Sequence, residues 1–123
     1  MASEIRISAA ATVRNGNLRF DWNPGTIILD QSAALMSGGS QTIGGTTPEV
    51  IVLTDIATAG VTFFTNLNTS LTIEVGTGTG TSFVALLSLK PNEIALGRLA
   101  TTQPTARVTT ASNANLYAVM LSN

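Results

Sequence analysis

The 123-residue chain has only 11% charged residues and a net charge of −1, and it contains neither histidine nor cysteine. It therefore lacks imidazole bases, thiolate nucleophiles, the usual soft metal ligands and disulfides. Its six Lys and Arg residues are scattered, which excludes the basic stripe of a nucleic-acid binder.

This length corresponds to a single domain, 1–123. A charged fraction well below the usual ~25%, with 44% hydrophobic residues, predicts a surface that neighbouring subunits cover. No apolar run approaches the ~18 residues of a membrane span, and the first six residues do not form a signal peptide. We therefore expect a protein that is made and assembled in the cytosol.

An alternating pattern predicts a β-hairpin at the N-terminus. The apolar positions of its two strands are Ile5, Ile7, Ala9, Ala11 and Val13, followed by Leu18, Phe20 and Trp22. Asn15-Gly16 between the strands predicts a type I′ turn, in which both central residues have φ > 0. That turn predicts the pairs Val13–Leu18, Ala11–Phe20 and Ala9–Trp22, which all join apolar residues.

Short apolar runs separated by Gly, Thr, Asn and Pro continue the β pattern. The predicted strands are 26–29, 50–53, 60–65, 71–75, 83–89, 94–99, 106–109 and 116–121, with 50–53 buried on both faces. Residues 37–48 are expected to form a long flexible loop with at most a short strand at 41–43. Residues 33–36 are expected to form a helical turn at most. Residues 90–93 are expected to form a type I turn, because Pro91 occupies its second position.

Many short strands without a helical period predict an all-β fold, namely an antiparallel, single-domain β-sandwich of the jelly-roll type. Within it, Trp22, Phe63, Phe64 and Phe83 are interpreted as core residues, because each lies in a strand period.

The Gly-Thr repeat at 76–81 does not fit a nucleotide-binding loop. The dinucleotide motif needs a glycine at its sixth position and a helix after it, whereas this chain has Thr81 followed by a strand. A Walker lysine is also missing, so the run is interpreted as a hairpin loop.

The acidic residues are isolated along the sequence, and they are Glu4, Asp21, Asp30, Glu49, Asp55, Glu74 and Glu93. A glycosidase carboxylate pair, or a calcium site at Asp30 or Asp55, is less well supported than solvated positions. Lys90 is interpreted as a solvated turn residue, and serine hydroxyls lack a histidine base. The sequence therefore predicts a non-enzyme, with no catalytic residues, no cofactor-binding residues, no metal ligands and no small-molecule substrate.

One segment, 60–99, resembles small virion proteins of tailed bacteriophages. The resemblance is carried by Phe63, Phe64, Asn66 and Leu67, by the run 71–76, and by the Leu-x-Leu-Lys-Pro-Asn-Glu-x-Ala-Leu-x-Arg-Leu run at 87–99. It covers about a third of the chain and is most similar to capsid decoration, or cement, proteins. That family often has Gly where this chain has Asn92.

The resemblance implies a capsid decoration protein that bridges major capsid proteins and stabilises the head. It also implies a virion location, a homotrimer and an N-terminal arm formed by residues before Val13. Nucleic acid and membrane are not expected as partners. A tail, baseplate or connector component and a carbohydrate-binding β-sandwich remain the alternatives. Exposed aromatic residues on one face would favour the carbohydrate binder, and a flat apolar base would favour the decoration protein.

Overall fold

The structure of the chain, a computed structural model, describes residues 4–30 and 35–122. The chain divides into two compact units, Met1–Ser32 and Ala33–Asn123. The sandwich lies in the second unit, and the assignment of the whole chain to a single domain stays a prediction.

The first unit is an antiparallel ribbon with two sides, each of which consists of two consecutive strands. Its strands are β1 (Glu4–Ser8), β2 (Ala11–Asn15), β3 (Leu18–Trp22) and β4 (Thr26–Asp30). β2 pairs with β3, and β1 pairs with β4. Between the two paired regions, residues 9–10 of one side face residues 23–25 of the other, which gives one extra residue as in a β-bulge.

The hairpin exists, but the predicted turn and register are wrong. The loop residues are Gly16 and Asn17, and the observed pairs include Asn15–Leu18, Val13–Phe20 and Ala11–Trp22. Only Gly16 has a positive φ, +56°, so the turn is not of type I′, which needs two such residues. Moving the loop by one position shifts the partners by two residues, so the apolar side chains stay on the same face.

The second unit contains the all-β antiparallel sandwich that the sequence predicts. Its strands are β5 (Met36–Gly44), β6 (Glu49–Val50), β7 (Ala59–Asn66), β8 (Ile73–Thr77), β9 (Val84–Leu89), β10 (Ile94–Arg98), β11 (Thr105–Val108) and β12 (Asn113–Ser122). One sheet has the order β10-β7-β12-β5, and the other has the order β6-β11-β8-β9. The jelly-roll topology stays a prediction.

Both sheets of the second unit contribute to its apolar core. Ile43, Phe64 and Leu116 come from the first sheet, and Ile73 and Val108 come from the second. Over the first six residues of β12, burial alternates and places Ala114, Leu116 and Ala118 in this core, as the period of two predicts, whereas Ala118, Val119 and Met120 are buried in succession.

Two strand predictions are corrected in the second unit. Residues 36–44 form the edge strand β5 instead of a flexible loop. A side chain at Gly38 would lie 2.0 Å from the carbonyl oxygen of Ala118, so glycine is needed for β5 to approach β12. The run 50–53 is not a buried strand, because only Glu49–Val50 pairs and Val50 and Val52 are exposed.

A side chain replaces the strand pairing that the sequence suggests for 50–53. The Gln41 Nε2 donates to the Val50 carbonyl at 3.1 Å, and the Val52 N–H donates to the Gln41 Oε1 at 2.9 Å. The side-chain amide of Gln41, in β5, thus makes hydrogen bonds to Val50 and Val52 that the backbone of a neighbouring strand would otherwise make.

The turn at 90–93 is confirmed, but its type differs. The Glu93 N–H donates to the Lys90 carbonyl at 3.0 Å, and Asn92 has φ +63°. A positive φ at the third position defines a type II turn, and asparagine tolerates that conformation. Of the predicted Gly-Thr loop at 76–81, Gly76 and Thr77 end β8, and Gly80–Ser82 forms a 3₁₀ turn.

Of the predicted helical turn at 33–36, residues 33–34 lie outside the described residues, and Met36 begins β5. No helix among the described residues is long and apolar enough to cross a membrane.

Candidate interaction surface

The β2–β3 hairpin has one apolar and one polar face. Strand alternation places Ala11, Val13, Leu18, Phe20 and Trp22 together on the apolar face, and Asn15, the partner of Leu18, lies on the same face at its turn end. Leu18 is 58% exposed, Phe20 is 51% exposed and Trp22 is 45% exposed. Every residue of β2 and β3 is exposed, so this apolar face is not part of a core.

The polar face is held by an ion pair across the strands. The Arg14 Nη2 lies 2.9 Å from both carboxylate oxygens of Asp21. Arg14 also pairs directly with Arg19, and Asp21 offsets this contact between like charges. Both partners of the ion pair are exposed, so we expect it to orient side chains more than it stabilises the fold.

A break separates the hairpin from the β1–β4 half of the ribbon. The Gly25 N–H donates to the Asn23 Oδ1 at 3.0 Å, which forms an Asx turn beside Pro24. In the β1–β4 half, Ile5, Ile7 and Leu29 are only half-buried. The ribbon therefore exposes apolar side chains along both halves.

This exposure has a physical consequence for the first unit. A two-stranded hairpin is at best marginally stable in water, and contiguous exposed apolar patches on soluble proteins mark interaction sites. The apolar hairpin face (Ala11, Val13, Leu18, Phe20, Trp22) is thus the candidate functional site of this chain.

The predicted aromatic core is only partly correct. Phe64 is buried, as predicted, and Phe63 and Phe83 are half-buried. The interpretation of Trp22 as a core residue is wrong, because its hairpin lacks a covering layer. The sequence does not distinguish these two cases. A strand with alternating apolar residues has the same pattern whether its apolar face packs on a core or binds a partner.

Phe83 has a cationic neighbour in place of a fully apolar environment. The Arg107 guanidinium lies 4.7 Å from its ring centroid, and the Arg107 Nε donates to the Glu74 Oε2 at 2.7 Å. The arginine is thereby fixed between a ring and a carboxylate. This arrangement orders side chains on the second sheet.

Several acidic residues serve local structure. Glu49 Oε1 accepts from the Gly44 N–H at 2.7 Å, and Glu93 Oε2 accepts from the Lys90 N–H at 2.8 Å. Among the residues that the structure describes, no group of three acidic side chains is placed to hold a metal ion. Comparison with protein-family models, curated proteins and solved structures found no match.

Proposed function

We propose that this chain is a structural protein of a phage virion, specifically a capsid decoration protein that bridges major capsid proteins and stabilises the head. The observation that carries the proposal is the uncovered apolar hairpin face, with Phe20 and Trp22 exposed side by side. A low charge and a sequence resemblance over 60–99 support the same role.

In the proposed mechanism, the protein binds after the capsid shell has closed and adds contact area between neighbouring capsid subunits. The apolar hairpin face docks on capsid subunits and buries apolar surface that is otherwise exposed. Anything that binds only the assembled state stabilises that state by mass action. Repeated modest contacts from a trimer reinforce one another through effective concentration.

The function is tested with phage particles that lack the protein. They should assemble and fill with DNA, but release DNA at a lower temperature or a milder osmotic shock than wild-type particles. Purified protein added back should restore resistance and saturate at a fixed copy number per shell. Robust heads that are tailless or unable to adsorb would assign the protein to the tail, baseplate or connector instead.

The role of the hairpin is tested with Trp22→Ala. We expect the free energy of unfolding of the second unit to change by less than about 1 kcal/mol, because Trp22 lies on an exposed strand outside that core. Binding to shells should fall about 30-fold or more if Trp22 is an interface anchor.

Phe64→Ala is the matched control for this substitution. Phe64 is 2% exposed in the sandwich core, so its loss should cost about 3–5 kcal/mol of stability. If Trp22→Ala instead unfolds the protein as Phe64→Ala does, Trp22 is a core residue after all. Unchanged shell binding by a folded Trp22→Ala protein would exclude the hairpin as the anchor.

The exposed Phe20 and Trp22 rings also fit the criterion for a carbohydrate-binding module. Sugar recognition needs several hydrogen-bonding groups beside the aromatic platform, whereas the neighbours on this face are Ala11, Val13 and Leu18, with Asn15 as its one amide. A protein partner is therefore favoured. A glycan array that gives saturable binding, lost in Trp22→Ala, would reverse this preference.

A further inference from the structure

An apolar cavity of about 160 Å³ lies in the second unit, between β8, β9 and the segment that connects β10 to β11. Its apolar wall includes Val75, Leu86, Leu87, Leu99 and Pro104. No charged side chain among the described residues lines it, and its hydroxyl groups belong to Thr77 and Thr101. The cavity is therefore suited to an uncharged hydrocarbon group.

A β-bulge builds one wall of this cavity. Val75 pairs with Leu87, but the next residue, Gly76, pairs with Ala85, which leaves Leu86 as the extra residue of β9. Consecutive side chains of a regular strand point to opposite faces, yet Leu86 and Leu87 both line the cavity. Bulges commonly redirect a side chain in this way beside functional sites.

The volume of this cavity limits the size of the group that can enter it, and its lining residue Leu86, which is 62% exposed, leaves it accessible from solvent. A dry apolar cavity of about 150 Å³ lined by aliphatic residues holds one benzene molecule. The phenyl ring of a phenylalanine matches that size, whereas an indole has a second fused ring. The chain itself displays such a ring, because Phe20 is exposed on the apolar hairpin face.

We propose that the cavity of one copy receives the Phe20 ring of a second copy. This inference goes beyond the proposed function: it assigns the Phe20 ring to a contact between copies, whereas docking on the shell is tested at Trp22. Neither surface carries a charged side chain, so the contact would bury no unpaired charge. A contact in which a knob on one copy enters a cavity on the next is heterologous, because it joins two different surfaces. Such contacts close into a ring when the rotation that relates neighbouring copies permits.

Two variants separate the knob from the cavity. Phe20→Ala removes the knob, and Ala100→Phe places a ring in the cavity, where Ala100 is part of the lining. We expect each variant alone to weaken self-association about 30-fold or more, measured by light scattering and sedimentation. If Ala100→Phe does not fold, Thr101→Leu, also in the lining, replaces it.

Mixing the two variants gives the decisive result. The Phe20→Ala copy retains a cavity and the Ala100→Phe copy retains a knob, so the mixture should form a dimer with one intact contact and grow no further. A mixture that stays monomeric overturns the proposal, as does a wild-type protein that is monomeric at high micromolar concentration.

Matched controls exclude unspecific effects. Thr12→Ala changes the opposite, polar face of the same hairpin, and Ala111→Phe adds a ring at an exposed position of the second unit outside the cavity lining. Both should associate within about threefold of the wild type. If all variants associate like the wild type while added protein still protects particles, the inference fails and the proposed function stands.

Discussion

At the scale of single residues, Asn66 connects the end of β7 to two other segments of the second unit. It is fully buried, and its Nδ2 donates to the carbonyl oxygens of Leu71 at 2.7 Å, Leu89 at 2.9 Å and Lys90 at 3.1 Å. Its Oδ1 accepts from the N–H of Asn68 at 3.1 Å. The sequence analysis identifies Asn66 as part of a motif, but only the structure shows this hydrogen-bonding role.

Asn66→Ala should destabilise the protein by about 2–4 kcal/mol, because it leaves several carbonyl groups without their donor. Urea unfolding of the second unit measures the loss. Asn115→Ala is the control, since Asn115 is exposed and its Oδ1 accepts one hydrogen bond, from Thr42. Equal effects of the two substitutions would contradict the assignment of a special role to Asn66.

Thr62 presents the opposite case, a buried hydroxyl that lacks a partner. Its Oγ1 makes no hydrogen bond to any described residue, although the residue is fully buried in β7. Burying an unsatisfied hydroxyl is unfavourable, and valine has nearly the same shape.

Thr62→Val should therefore raise the free energy of unfolding by about 1 kcal/mol. Thr65→Val, at a half-buried position of the same strand, should change it much less. Chemical unfolding of the two variants provides the comparison. Destabilisation by Thr62→Val would mean that the hydroxyl has a hydrogen-bond partner in solution.

At the scale of elements, the hairpin turn depends on one backbone conformation. Gly16 has φ +56°, and a side chain there would meet no atom within 4 Å. The cost of replacing it therefore comes from the backbone alone. Asn15, which the sequence analysis places inside the turn, is instead paired with Leu18 in the ladder.

Gly16→Val should cost the hairpin about 1–2 kcal/mol or more, because a β-branched residue is strained at positive φ. Asn15→Val should be tolerated, since a strand position accepts valine. NMR cross-strand contacts between Val13 and Phe20 report on both variants. Loss of these contacts in Asn15→Val as well as in Gly16→Val would favour the type I′ turn, in which Asn15 also has φ > 0.

At the scale of the whole molecule, the scarcity of charge sets the expected response of binding to salt. Contacts made by apolar packing are hardly screened by ions, whereas contacts between charged surfaces weaken as salt rises. The proposed contacts of the apolar hairpin face belong to the first kind.

Affinity for capsid shells should therefore change by less than about threefold between dilute buffer and ~1 M sodium chloride. Ammonium sulfate should strengthen binding, because it favours apolar burial. Pelleting of shells with bound protein measures both effects. A steep loss of binding with sodium chloride would point to ion pairs, such as those of Arg14 or Arg19, as the main contacts.

The sequence by itself determined the all-β class, the strands at 60–65 and 94–99, the hairpin and the turn at 90–93. These features depend on alternation and on turn residues, which act over a few neighbours. It also established that the chain supplies no imidazole and no thiol of its own, because its composition contains neither histidine nor cysteine.

Only the tertiary structure decided which apolar faces are covered. Phe64 and Trp22 lie in equally regular strands, but Phe64 faces a second sheet whereas Trp22 lies on an exposed ribbon. The pairing of β5 and the amide of Gln41 that bonds to Val50 and Val52 likewise depend on partners distant in sequence. The local pattern determines on which face of a strand a side chain lies. Only the arrangement of the strands in space determines whether another element covers that face.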